Sequence, residues 1–233
     1  TGTTYNELGQ ITRIYYGNGD YDTYAYNGLD TGAGAPSEYW GRLWRIQSCN
    51  SSDTLQDIRY TWDANGNMIT RQDYLASETE TFTYDFLDRL TSVSGAYSAS
   101  YSYNEIGNIV SMNGVSYTYG GSQPHAVTSV GNTSYAYDTN GNMITRDDQT
   151  ITWDMNNMPT YITDGNNSSW FAYDGNCDMV LKYDGGEYIM YTNQYHELNW
   201  TSGEVTSHYY LGGKEVAYKV DTDLRFVHQD HLS

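Results

Sequence analysis

YTWDANGNMITRQD, residues 60–73, and YAYDTNGNMITRDD, residues 135–148, share the hexamer GNMITR, with its two copies 75 residues apart. Near-verbatim repetition marks a building block rather than an active site, and repeats decide an architecture before any other signal.

Working outward from the pair, an Asp or Asn follows an aromatic at Asn6, Asp63, Asp85, Asn104, Asp138, Asp154 and Asp174. One residue earlier stand Tyr5, Trp62, Tyr84, Tyr103, Tyr137, Trp153 and Tyr173, all aromatic. Three residues before the anchor stand Thr3, Tyr60, Phe82, Tyr101, Tyr135, Ile151 and Phe171. Three residues after it comes Gly9, Gly66, Gly107 or Gly141, replaced in the other copies by Asp88, Asn157 and Cys177. Two further on come Ile11, Met68, Leu90, Ile109, Met143, Pro159 and Met179, where only Pro159 breaks an aliphatic rule. From Asp63 to Asp174 the gaps are 22, 19, 34, 16 and 20. A degenerate copy near residues 117–131, anchored on Gly120, divides the gap of 34 into 16 and 18. Another, with an insertion, is expected in Tyr26–Ile46, ending GRLWRI.

Aromatics two residues apart point to one face of a strand. An Asp or Asn bonds its own backbone two residues on and opens a turn. Asn-Gly supplies the positive φ of a tight reversal. Each copy is therefore a β-hairpin, and since a lone hairpin is marginal in water, the copies must pair side by side. The predicted fold is all-β: about eight or nine tandem hairpins in one continuous, curved or spiralling antiparallel sheet. The repeat-defining residues are Tyr60, Trp62, Asp63, Gly66, Tyr84, Asp85, Tyr103, Gly107, Tyr135, Tyr137, Asp138, Gly141, Trp153, Asp154, Tyr173 and Asp174.

Composition agrees. The 233 residues include 26 Tyr, 6 Trp and 23 Gly but 3 Pro and 4 Phe. Tyr and Trp suit half-buried strands, and no helical period is present. A net charge of −18 repels phosphate backbones, so no nucleic-acid partner is expected. The acidity is scattered, as on a solvated surface. No long apolar run offers a transmembrane helix. Few Lys with many Tyr, Asn, Thr and Gly lean towards the cell exterior or cell surface. A disulfide between Cys49 and Cys177 is allowed but not forced by spacing.

The pattern Y-x-Y-D-x-x-G-N followed by an apolar residue, met at Tyr135–Ile144 and with Trp for the second Tyr at Tyr60–Ile69, resembles the YD repeats of the Rhs family. HAVTSV, at His125–Val130, is similar to a recurrent Rhs phrase. YYLGGKEVAYKVDTDLRFVHQDHLS, Tyr209–Ser233, resembles the start of the Rhs core, with His228, Asp230, His231, Leu232 and Ser233 matching but one Gly missing between the last two. The expected division is a YD-repeat array over residues 1–208 and the start of the core over 209–233. The resemblance implies a hollow all-β shell, as around bacterial toxins, in toxin-complex cocoons and in teneurin ectodomains. It places any autoproteolytic aspartyl site beyond the tail phrase, and it implies a piece of a longer protein.

Candidate chemistry is sparse. His228, Asp230 and His231 form the one potential metal or acid/base cluster, with His228 and Asp230 on one strand face; a zinc site wants three or four converging ligands. His125, His196 and His208 are isolated. Asp63–Asn67 and Asp138–Asn142 are faintly similar to calcium loops, but a closing Glu is lacking and turn chemistry accounts for them. Neither a G-x-S-x-G elbow nor a P-loop occurs. No cofactor is expected. The reading is a non-enzymatic shell segment, walling off or displaying a cargo, able to assemble through open sheet edges. Its partners are flanking segments of a longer polypeptide or other copies of itself, with a toxin cargo. The alternatives are a module binding surface glycan or a receptor, and a hydrolase built on the tail cluster.

Overall fold

The computed structural model describes residues 2–29 and 36–228, and these residues contain strands, turns and loops but no helix. They divide into two units, the first running to Ser102 and including His228, the second spanning Tyr103–Val227. The first holds β1 (Gly2–Tyr5), β2 (Ile11–Tyr15), β3 (Tyr21–Tyr26), β4 (Leu43–Cys49), β5 (Thr54–Trp62), β6 (Met68–Asp73), β7 (Glu78–Tyr84), β8 (Leu90–Ser94) and most of β9 (Ala99–Tyr103). The second holds β10 (Ile109–Met112), β11 (Val115–Thr118), β12 (Ser129–Val130), β13 (Thr133–Tyr137), β14 (Met143–Arg146), β15 (Gln149–Trp153), β16 (Pro159–Thr163), β17 (Ser168–Tyr173), β18 (Met179–Asp184), β19 (Glu187–Asn193), β20 (His196–Asn199), β21 (Val205–Leu211), β22 (Lys214–Val220) and β23 (Asp223–Phe226).

Within each unit every strand pairs antiparallel with the next in sequence, so both are meanders. Turns therefore alternate between two edges, and the anchored turns share one of them. The opposite edge carries tight reversals such as Asn113–Gly114, with φ 52° and 79°. That pair of positive angles is the type I′ geometry that matches strand twist.

The first unit has a conventional buried face. Ile14, Tyr24, Tyr26, Trp44, Ile46, Ile58 and Tyr60 are buried there, at alternate positions of their strands. Thr61, Thr79, Thr81, Thr83 and Ser100 alternate with the inward positions and are exposed. Thr61 and Thr70 share a hydroxyl hydrogen bond of 2.7 Å across strands. On that side Asp57 is held bidentately by Arg45 at 2.7 and 2.6 Å, and Arg59 stacks 3.5 Å over the Tyr74 ring. In the second unit, buried residues are few among those described: Asn108, Val216 and Ala217. Its strands are mostly half-buried, so it depends on ladder bonds and cross-strand pairs more than on a core.

Two expectations need correction, for Gly120 and for His228. Gly120 does not close a five-residue turn: β11 ends at Thr118, and the chain returns only where Thr128 N–H donates to the Thr118 carbonyl. Glycine offers no side-chain oxygen to organise the shorter turn. His228 lies beyond β23, outside any strand, so the face-sharing argument for it fails. Asp230 and His231 lie outside the described residues. The boundary expected between residues 208 and 209 falls inside β21. Cys49 and Cys177 are both free thiols.

Candidate functional site

The repeat residues converge on the anchored turns. In all seven copies the anchor N–H donates to the carbonyl four residues on at 2.9 Å, and the residue three on donates back at 3.0–3.3 Å. The anchor Oδ1 accepts the N–H four residues on in every copy, as Asn67 to Asp63 at 2.8 Å and Gln10 to Asn6 at 2.9 Å. Only an Oδ1 acceptor is required, which is why Asp and Asn interchange. At Asp63 a further bond from Asn67 Nδ2 engages Oδ2 at 2.9 Å. Both oxygens thus accept hydrogen bonds within the turn itself.

The third residue after the anchor is left-handed whatever its identity: φ is 103° at Gly66 and 94° at Gly141, and 59°, 60° and 67° at Asp88, Asn157 and Cys177. Two of these costly exceptions have a partner. Asn65 and Asn67 both donate to Asp88 Oδ1, at 2.9 and 2.7 Å. Asn140 and Asn142 both donate to Asn157 Oδ1, at 3.0 and 2.8 Å. Each GNMITR copy therefore grips the turn of the next repeat, and each is followed by a copy with an acceptor where Gly would stand.

A second link explains the aromatic. Anchored hairpins carry a bulge just before the anchor, as between Thr61 and Trp62 or Thr83 and Tyr84. The carbonyl facing that bulge accepts a side-chain donor from the following repeat. Tyr26 OH donates to Ile11 O at 2.8 Å, Trp62 Nε1 to Leu43 O at 2.7 Å, and Tyr84 OH to Met68 O at 2.8 Å. In the second unit Tyr119 OH donates to Ile109 O at 2.7 Å, Trp153 Nε1 to Met143 O at 2.7 Å, and Tyr173 OH to Pro159 O at 3.0 Å. Tyr and Trp alternate because both carry a donor; Phe does not. Pro159 fits because only its carbonyl is needed. Burial first, then the charge of Asp63, pushes the Tyr84 phenol up, keeping the donor protonated.

Sequence reasoning missed one turn. Tyr16–Asp20 repeats the same backbone bonds, at 2.9 and 3.2 Å, on the opposite edge. Its anchor is a tyrosine, so the Asp/Asn search passed over it; Gly19 at the third position was the available signal. The insertion expected in Tyr26–Ile46 lies partly outside the described residues; beside it Asn27 N–H donates to Arg42 O at 2.8 Å.

Of the expected tail cluster, His228 alone lies among the described residues. His228 Nδ1 lies 2.8 Å from Asp22 Oδ1 and its Nε2 lies 3.9 Å from Asp20 Oδ2. Tyr16 OH donates to Asp22 Oδ2, and its ring meets the imidazole edge-on at 5.1 Å. The hydrogen bond to Asp22, against the opposing effect of burial, holds the imidazole above its ordinary range. Burial and the Asp22 bond push the Tyr16 phenol up. Among the described residues, no group of three His, Cys, Asp or Glu side chains has metal-binding geometry.

The other histidines each have a local partner: His125 with Asn108 at 2.7 Å, His196 with Ser207 at 3.1 Å, and His208 with Glu215 at 2.6 Å. One exposed feature stands out in the second unit. Tyr161, Trp170, Tyr183 and Tyr188 are directly opposed from strand to strand across β16–β19. Ring centroids lie 4.4 Å apart for Tyr161–Trp170 and 4.7 Å for Tyr183–Tyr188. Trp170, Tyr183 and Tyr188 of this ladder line an open groove of about 550 Å³, in which Trp170 is 54 % exposed. No helix among the described residues is long and apolar enough to cross a membrane.

The chain aligns with the structure of the Photorhabdus luminescens Tc holotoxin pore at a TM-score of 0.77 and 17 % identity, covering 99 % of this chain and 14 % of that one. It also aligns with a crystal structure of TcdB2–TccC3, at a TM-score of 0.72 and 17 % identity over 99 % of this chain and 15 % of that one. For the TcdB2–TccC3–TEV crystal structure the figures are 0.71, 19 %, 100 % and 14 %. The chain thus spans about one seventh of the length of these chains, and at such identities the likeness establishes the fold. No curated protein sequence matches. The teneurin YD-shell family profile matches residues 41–212, most of the chain, and it is to this family of YD-repeat proteins that the chain belongs.

Proposed function

We propose that the chain is a stretch of wall in a larger extracellular YD-repeat shell, non-enzymatic in itself, that walls off or displays a cargo. The observation that carries this reading is where the repeated side chains point: the aromatic donors and the Asn amides join one repeat to the next. Such nearest-neighbour links make a strip whose stability grows by addition of units. The short coverage of the aligned chains supports flanking segments of the same polypeptide as its partners. Net charge of −18 supports solubility of the exposed surface. Electron microscopy of the full reading frame tests the proposal. A closed shell with internal density is expected; a solid particle, or an open filament built by edge pairing, would overturn it.

A second reading is favoured by the Tyr161–Trp170–Tyr183–Tyr188 ladder, whose exposed rings suit stacking on sugar rings of a surface glycan or contact with a receptor. Here Trp170→Ala would abolish binding on a glycan array without lowering the unfolding midpoint. Silence of the wild-type protein on the array removes the glycan form of this reading.

A further inference from the structure

The β2–β3 hairpin contains a carboxylate in an unusual position. Asp22 is 0 % exposed, on a strand whose same-face neighbours are Tyr24 and Tyr26. A carboxylate removed from water is costly unless it is hydrogen-bonded and paired. The hairpin itself supplies one bond, from the Tyr16 hydroxyl. Across the flanking strands Asp22 faces Ile14 and Ser48, neither of which carries charge. The counter-charge comes from His228, 206 positions away in sequence, whose side chain is 21 % exposed while that of Asp22 is 1 % exposed. Among the described residues, His228 is the basic side chain that forms an ion pair with Asp22.

We infer that the Tyr16–Asp20–Asp22 pocket is a docking site for the His228 imidazolium, so that the segment at His228 is clasped to the β2–β3 hairpin in a pH-dependent way. The groups facing the imidazole are Asp22 from β3, Asp20 from the turn between β2 and β3, and Tyr16 at the end of β2. Tyr24, on the same face of β3, is kept neutral by burial first and then by the charge of Asp22. Two carboxylates and one neutral phenol thus face a single titrating imidazole. Because its docked form holds the proton more tightly than the free form, docking is complete below the free imidazole value of about 6.5 and weakens as pH rises through the docked value. The clasp therefore closes in mildly acidic surroundings and loosens in alkaline ones, with histidine as the natural element for a transition near neutrality.

Hydrogen–deuterium exchange of the whole chain, corrected for intrinsic rates, tests this. Protection at His228 and in the β2–β3 hairpin is expected to fall together above about pH 6.5, by up to about tenfold per pH unit. His228→Gln keeps a hydrogen-bonding side chain without the charge, and is expected to give weak protection that does not change with pH. Asp22→Asn, with the Tyr16 bond retained, is expected to flatten the same profile if His228→Gln folds poorly. Protection in the wild-type chain that stays level from about pH 6 to about pH 9, or a profile that persists in either variant, would overturn the clasp.

Discussion

Asn67 reaches out of its own turn and donates its side-chain amide to Asp88 Oδ1, 2.7 Å away in the turn of the next repeat. Asn142 and Asn157 reproduce the relationship at 2.8 Å. The conserved wording of the two GNMITR segments thus reflects a contact. Asn67→Ala removes this bond and the one to Asp63 Oδ2, and is expected to cost about 1–2 kcal/mol in urea unfolding. Asp88→Gly loses the same acceptor but relieves a φ of 59°, so its cost should be smaller. An Asp88→Gly change more damaging than Asn67→Ala would contradict this ordering.

Two glycines separate conformational strain from collision. A Cβ on Gly95 would meet the Thr79 carbonyl oxygen at 1.8 Å, in addition to a φ of 125°. A Cβ on Gly107, at φ 88°, meets nothing within 4 Å. Gly107→Ala is therefore expected to lose about 1–2 kcal/mol from backbone strain alone. Gly95→Ala should lower the unfolding midpoint much further, because backbone must move; equal midpoints would refute the close approach at Thr79.

Asp57 joins Arg45 and Arg59 with 9 % of its side chain exposed, against 21 % for Arg45. Asp57→Ala leaves two partly buried guanidiniums unpaired. The expected loss is about 2–3 kcal/mol, below the 3–5 typical of a fully buried pair because Arg45 keeps contact with water. Urea unfolding of the single variant measures it.

Acid should loosen the turns. Asn67's side-chain amide, followed by backbone N–H groups, holds the Asp63 carboxyl below its usual range, and Arg89 does the same for Asp85. A carboxyl depressed in the folded chain takes up protons first when unfolded, so stability is present above the unfolded value and is lost as pH falls. The window opens at about pH 4 and extends downward. Asp63→Asn keeps the Oδ1 acceptor, as Asn6 and Asn104 do, and should flatten the acid limb of a stability–pH curve. An unchanged limb would show that the turn does not hold the charge.

The hairpins were legible because their signals are local. Aromatics at Tyr60 and Trp62, an oxygen at Asp63 and a positive φ at Gly66 all lie within seven residues. What the sequence left hidden depends on partners a repeat away. Nothing within one copy says that Trp62 needs its Nε1–H, because the acceptor is Leu43 O. Nothing local explains Asp88 in a glycine position until Asn67 is placed beside it. Tyr16 escaped because a backbone turn can close without a side-chain acceptor. Asp22 carries no sequence pattern at all, and its pairing with His228 arises from the fold.

The repeat aromatics act as donors joining successive hairpins, and not merely as rings in a ladder. Tyr26, Tyr84, Tyr119 and Tyr173 changed together to Phe lose four hydroxyls and no ring. The control chain carries Phe at Tyr97, Tyr188, Tyr195 and Tyr209, which are 53 %, 47 %, 45 % and 45 % exposed. Urea unfolding is predicted to show a loss of about 1 kcal/mol per site in the first chain, near-additive because the sites are distant, and almost none in the control. Equal unfolding midpoints for the two chains would contradict the account.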